Sequence, residues 1–163
     1  MKIDFFTDDQ TEAVVDAFHA LCRHYHGDAA QPREVVRRNL LDNVLAADSG
    51  VRIVVASEGA QVAGLATIAL LYPAPQERGQ LFMKDLFVLE AWRGTGLGER
   101  LMRFIASHAV ARGCVRFDWT AERTNPGAFA FYERLGAKTV PEKVYFRLTG
   151  DDLAALAAGT GAD

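Results

Sequence analysis

One short run constrains this chain more than any other: Arg93-Gly94-Thr95-Gly96-Leu97-Gly98. It joins a β-like stretch, residues 81–89, to a segment where Leu97, Leu101, Phe104, Ile105, His108 and Ala109 recur at helical spacing until Gly113. Glycines let the backbone take positive φ and let a ligand approach the main chain closely. The first amides of a helix have no intrahelical partner and lie at the positive end of its dipole, so a phosphate or pyrophosphate is stabilised there. A glycine turn also occurs without any ligand, so the rest of the chain has to decide.

On either side the pattern alternates between the two periods. Residues 2–6 are strand-like, and Thr7, Asp8 and Asp9 offer capping chemistry to a helix with Ala13, Val14, Ala17, Leu21 and Cys22 inward, ending at Gly27. Pro32 opens a second helix with Val35, Val36, Leu40, Leu41 and Val44 on its apolar stripe. Residues 52–56 and 62–71 read as a hairpin turning at Glu58-Gly59, and residues 72–79 read as a polar loop. Residues 115–119 are strand-like, and Asn125-Pro126 opens a helix ended by Gly136. Residues 144–148 read as a last strand, and Gly159-Thr160-Gly161 as a frayed end. This order predicts an α/β fold: a single mixed, mostly antiparallel sheet of about six strands flanked by about four helices.

A length of 163 residues fits one domain, expected over residues 1–150 with a short tail at 151–163. The net charge of −3 argues against a nucleic-acid partner, since phosphate neutralisation needs an excess of Lys and Arg. Cys22 and Cys114 are too few for a disulfide framework, and neither a signal peptide nor a membrane-spanning run is visible, so a cytoplasmic protein without a membrane partner is expected. His19, Cys22 and His26 share a helical face, but nothing completes a metal site and no metal is expected.

Three phosphate-binding readings compete for the glycine turn. A P-loop needs Gly-Lys, which occurs nowhere in the chain. A dinucleotide turn needs its third glycine one residue later than Gly98, although Asp118 stands at the expected distance. A methyltransferase-type turn needs an acid where Trp92 stands. The fourth reading draws on two places at once. Arg93, Gly96 and Gly98 match a signature of Arg or Gln, two residues, Gly, one residue, then Gly or Ala. Asn125, Ala128, Phe131, Tyr132, Arg134, Gly136 and Ala137 match a second signature at the right distance. With both, residues 1–148 resemble the GNAT N-acetyltransferase superfamily and its acyl-CoA N-acyltransferase fold. Residues 82–88, Asp118, Trp119 and residues 143–146 look like its polyamine and diamine branch and the yeast histone-and-polyamine acetyltransferases. Lys84, beside Asp85, departs from the second acid often found in polyamine acetyltransferases.

That resemblance implies acetyl-CoA as co-substrate and direct acetyl transfer, in a ternary complex, to the amine of a small molecule: a polyamine, a diamine or an amino acid. It implies that Arg93, Gly94, Thr95, Gly96, Leu97 and Gly98 clamp the pyrophosphate and that the backbone of Leu86, Phe87 and Val88 receives pantetheine. Asn125 is expected on the pantetheine arm or as a helix cap, and Tyr132 as the acid that protonates the leaving thiolate. Asp85 is the leading candidate base, its side chain expected on one face with Phe87 and Met83; Asp118 and Glu122 are the other acids near the cleft. Tyr25, Asp28, Trp119 and Glu122 are the candidate acceptor contacts, and a homodimer is expected. A solvated face is the reading for Arg33, Arg37 and Arg38, with contact to an acidic acceptor as the other; Arg100 and Arg103 are either surface residues or contacts of the 3′-phosphate. A non-catalytic acyl-CoA-binding module and a methyltransferase-type enzyme are the alternatives.

Overall fold

Two runs of consecutive buried residues, 53–57 and 62–68, lie at the centre of the fold. Strands buried this continuously need cover on both faces. The computed structural model describes residues 1–159 and divides into two compact units, Met1–Glu122 and a second that begins at Arg123. In the first unit, β1 (Lys2–Phe5), β2 (Val51–Glu58), β3 (Gln61–Ala74), β4 (Arg78–Val88) and β5 (Cys114–Trp119) form one sheet in chain order. The first four strands pair antiparallel, and β5 runs parallel to β4.

Helix α1 (Thr11–His26) buries Val14, Val15, Ala17 and Leu21 against Ile53, Val55, Leu65 and Phe87. A second helix, α2 (Arg33–Asn39), continues into one wider turn, Leu40–Val44, and contributes Val36 and Leu40 to the interior; Val35, expected on the apolar stripe, is exposed because the adjacent Val36 takes the inward position. Arg33 bonds to Glu12 and Asp16, and Arg37 to Glu12, so these two tie α2 to α1 through ion pairs that stay partly open to solvent, while Arg38 is exposed; the solvated face expected here thus also carries contacts between helices. The other sheet face carries α3 (Leu97–Ala111), whose Leu97, Leu101, Ile105 and Ala109 are buried. Each fully buried aliphatic side chain of this kind contributes about 1.5–3 kcal/mol.

The polar loop expected at residues 72–79 is shorter in the structure. Strand pairing persists to Ala74–Arg78, and only Pro75–Glu77 turns, with Gln76 and Glu77 at positive φ.

In the second unit, α4 (Pro126–Arg134) starts at Asn125, whose Oδ1 accepts a hydrogen bond from the Ala128 amide at 3.0 Å. The strand expected at residues 144–148 is not formed, so the sheet has five strands. Val144, Tyr145 and Phe146 are 73%, 71% and 88% exposed. Their alternation supplies strand propensity, but propensity becomes a strand only where a neighbour completes the ladder. Helix α5 (Gly150–Ala157) occupies most of the expected tail. Thr160 and Gly161, read as frayed, lie outside the described residues.

Candidate active site

The glycine run lies where β4 gives way to α3. After one tight turn, Glu90–Trp92, the Arg93 side chain folds back so that Nε donates to the Val88 carbonyl at 3.1 Å, with its guanidinium over the Phe87 ring. Arg93 therefore ties the turn to the strand end. Thr95 Oγ1 closes the turn by donating to the Trp92 carbonyl at 2.7 Å, and Leu97 is buried as its anchor. Gly94 and Gly96 have φ of 75° and 79°, and a Cβ at either would meet nothing within 4 Å. Both thus need glycine for conformation and leave the approach to the turn open. The amides at the start of α3, from Leu97 and Gly98, have no helical acceptor and lie at the positive end of a 15-residue helix. These features suit a pyrophosphate, which needs oriented donors and close access to the main chain.

β4 prepares the next part of the site. Its ladder with β5 ends at the pair Met83–Trp119, so the β5-side edge of residues 84–88 has no strand partner among the described residues. The Val88 carbonyl is taken by Arg93; the neighbouring backbone is the stretch expected to receive pantetheine.

The β3–β4 ladder pairs Ile68 with Met83 but Thr67 with Asp85, so Lys84 is the extra residue of a β-bulge. A bulge shifts the alternation by one. Met83 lies with Ile68 on the α3 side, whereas Asp85 lies with Thr67 on the side of Leu65 and Phe87. Asp85 therefore shares a face with Phe87 but not with Met83, correcting the expectation from simple alternation. Thr67 Oγ1 donates to Asp85 Oδ2 at 2.5 Å.

The end of α1 brings further groups to this face. His24 packs 5.7 Å from the Phe87 ring, and 5.5 Å from that of Tyr25. Partial burial, then the charges of Asp85 and Glu122, push the Tyr25 hydroxyl up. Burial followed by Asp85 also pushes the Cys22 thiol up, which keeps it protonated and a poor nucleophile. Tyr25, Asp85 and Glu122 are thus gathered in one region. Asp28 lies on the exposed turn after α1, and no hydrogen bond or ion pair joins it to these acids among the described residues. Asp118 accepts from Gln80 Nε2 at 2.9 Å and shares the Asp85 face through its pairing with Phe82. Trp119 pairs with Met83 and stacks 4.9 Å from Phe117, on the α3 side of the sheet.

In the second unit, Tyr132 lies half-buried on α4 with its ring 5.1 Å from that of Phe131. Asn125 acts as the helix cap, one of its two expected roles. Arg100 reaches the Met1 carbonyl and Arg103 pairs with Glu99. Among the described residues no group of three or more His, Cys, Asp or Glu gathers as a metal site, and no helix is long and apolar enough to cross a membrane.

Residues 13–137 match the model of the acetyltransferase (GNAT) family. The chain belongs to this family. Acetyl-CoA is the co-substrate of GNAT proteins, and the open glycine turn with its oriented amides fits it. Among curated relatives, L-ornithine N5-acetyltransferase NATA1 of Arabidopsis thaliana is 35% identical over 95 residues. The thialysine N-epsilon-acetyltransferase of Mus musculus is 28% identical over 104 residues. These matches cover 58% and 62% of this GNAT chain, but only 42% and 61% of the relatives, so the chain spans about half of each. Integron cassette protein VCH_CASS6, from the mobile metagenome of V. cholerae, superposes with a TM-score of 0.92 at 40% identity over 96% of both chains. The mixed α/β fold expected from element order is therefore the fold of the GNAT family.

Sequence reasoning missed Thr67. Its one signal was a hydroxyl residue inside the otherwise apolar run of residues 62–71, and only the ladder shows what it faces.

Proposed function

We propose that this GNAT chain is an acetyl-CoA-dependent N-acetyltransferase acting on the amine of a small molecule, by direct attack within a ternary complex. The observation that carries the reading is the arrangement of β4: a held carboxylate at Asp85, then unpaired strand edge, then the glycine turn. In this reading acetyl-CoA lies with its pyrophosphate on the amides of residues 93–98 and its thioester beside residues 86–88.

The amine arrives as an ammonium and must lose a proton before its lone pair can attack. Asp85 takes that proton, directly or through a water. The nitrogen then attacks the thioester carbonyl carbon, and a backbone amide of residues 86–88 stabilises the oxyanion, a contribution of a few kcal/mol. The C–S bond breaks, Tyr132 gives its proton to the departing thiolate, and the second proton lost by the nitrogen returns to the tyrosinate, directly or through water. A protonated Cys22 favours this direct route over a covalent acetyl-cysteine.

The acids Asp85, Glu122 and Asp118 support a cationic acceptor, with Tyr25 as an aromatic contact. The relatives' names point the same way, to amines on amino-acid side chains. The test is an amine panel followed by free-thiol release, with calorimetry for acetyl-CoA. Turnover is expected with ω-amino acids and diamines. Acetyl-CoA binding without thiol release for any amine would overturn the reading in favour of a binding module.

A further inference from the structure

We propose that Thr67 is a positioning residue, which aims the Asp85 carboxylate at the acceptor amine. The inference rests on Asp85 being the base, and the first observation behind it is the burial of Thr67. It is 4% exposed, between Ala66 at 0% and Ile68 at 2%. A valine would fill the same space and suit a strand equally well. Packing therefore does not explain the hydroxyl, and a buried hydroxyl is costly unless it is bonded.

Its hydrogen bond goes to Asp85 Oδ2 at 2.5 Å, the short length of a charge-assisted O–H···O⁻ contact. The ladder explains how the two meet. In a regular continuation from the pair Ile68–Met83, the residue opposite Thr67 would be Lys84. The bulge passes over Lys84, which is exposed, and brings Asp85 into its place. Hydroxyl and bulge thus act on one side chain: the bulge selects the face, and Thr67 holds one carboxylate oxygen. In this reading the other oxygen, Oδ1, is left to take the proton of the amine. Cys22 and Tyr25 of α1 also feel the charge of Asp85, while the hydrogen bond to its carboxylate comes from Thr67.

The experiment compares Thr67→Val, Thr67→Ser, Asp85→Asn and the Val/Asn double variant in the full chain, by steady-state thiol release with the best amine of the panel. A hydrogen bond to a charged group predicts that Thr67→Val lowers kcat about 10- to 100-fold. KM for acetyl-CoA is expected to stay unchanged. Thr67→Ser, which restores the hydroxyl, should recover most of kcat. In the Asp85→Asn background, Thr67→Val should cost nothing further in kcat, because no base is left for the hydroxyl to aim. Circular dichroism checks folding, and Thr67→Ala replaces the valine variant if that one fails. Wild-type kcat in Thr67→Val beside an inactive Asp85→Asn would overturn the positioning role alone. Equal losses in Thr67→Val and Thr67→Ser would do the same. Full activity in Asp85→Asn would remove the base assignment and this inference with it.

Discussion

Gly64 on β3 pairs with Val88, at the end of the β4 stretch assigned to the thioester. A methyl group there would lie 2.8 Å from the Phe87 carbonyl oxygen and 3.4 Å from both Val88 Cα and Leu101 Cδ1. An ordinary C···O approach is about 3.3–3.6 Å, so Gly64→Ala forces β4 to retreat by about 0.5–0.8 Å. Two effects oppose each other. Removing a strand glycine gains about 0.5–1 kcal/mol, while overpacking a filled interior costs about 1–3 kcal/mol. Overpacking wins, because the nearest obstacle is backbone and cannot rotate away. The expected net loss is about 0.5–2 kcal/mol, or a few degrees in Tm for a chain of this size. The effect on rate should be larger. A 1 Å misplacement of reacting groups costs about 100-fold, so a shift of this size at Phe87 and Val88 should lower kcat about tenfold or more. Thermal melts and thiol-release kinetics on the same preparation test both parts. A variant that melts at or above the wild type with unchanged kcat would refute the reasoning. A lower Tm with unchanged kcat would show that the displaced backbone is not where the thioester lies.

Three other outcomes follow from the geometry. Tyr132→Phe should lower kcat about tenfold while acetyl-CoA binding by calorimetry is retained, since a thiolate needs only modest help to leave. Gly96→Glu should abolish acetyl-CoA binding in the same calorimetry, because it puts a side chain at a φ of 79° and a negative charge at the proposed pyrophosphate site. His108 is held below its ordinary value of 6.5 by burial and by Arg52 and Arg112, and Arg52 Nη1 approaches its Nε2 at 3.3 Å. The unfolded chain then binds the proton more readily than the folded one, so this contribution to stability is complete above 6.5 and is lost as pH falls below it. Melts from pH 7.5 to pH 5 should show that decline, and His108→Gln should flatten it.

What could be read from the chain alone was local. The shape of the turn at residues 93–98 was legible because its glycine conformation and the start of α3 are written within six consecutive residues. Helices α1 and α3 were legible because their apolar faces repeat within each helix. The cap at Asn125 was likewise written within four residues. The remainder depended on partners far apart in sequence. That Arg33 and Arg37 pair with Glu12 and Asp16 on their solvent-facing side depended on α2 lying beside α1. Residues 144–148 alternated like a strand, but the structure provides no ladder for them. The face of Asp85 was decided by a bulge, and a bulge belongs to the register between two strands rather than to either strand's composition. Thr67 and Asp85 are 18 residues apart and meet only because β3 and β4 pair with Lys84 left out. Residue type determined that a carboxylate was present on the strand before the glycine turn; only the ladder decided which face it takes and what holds it.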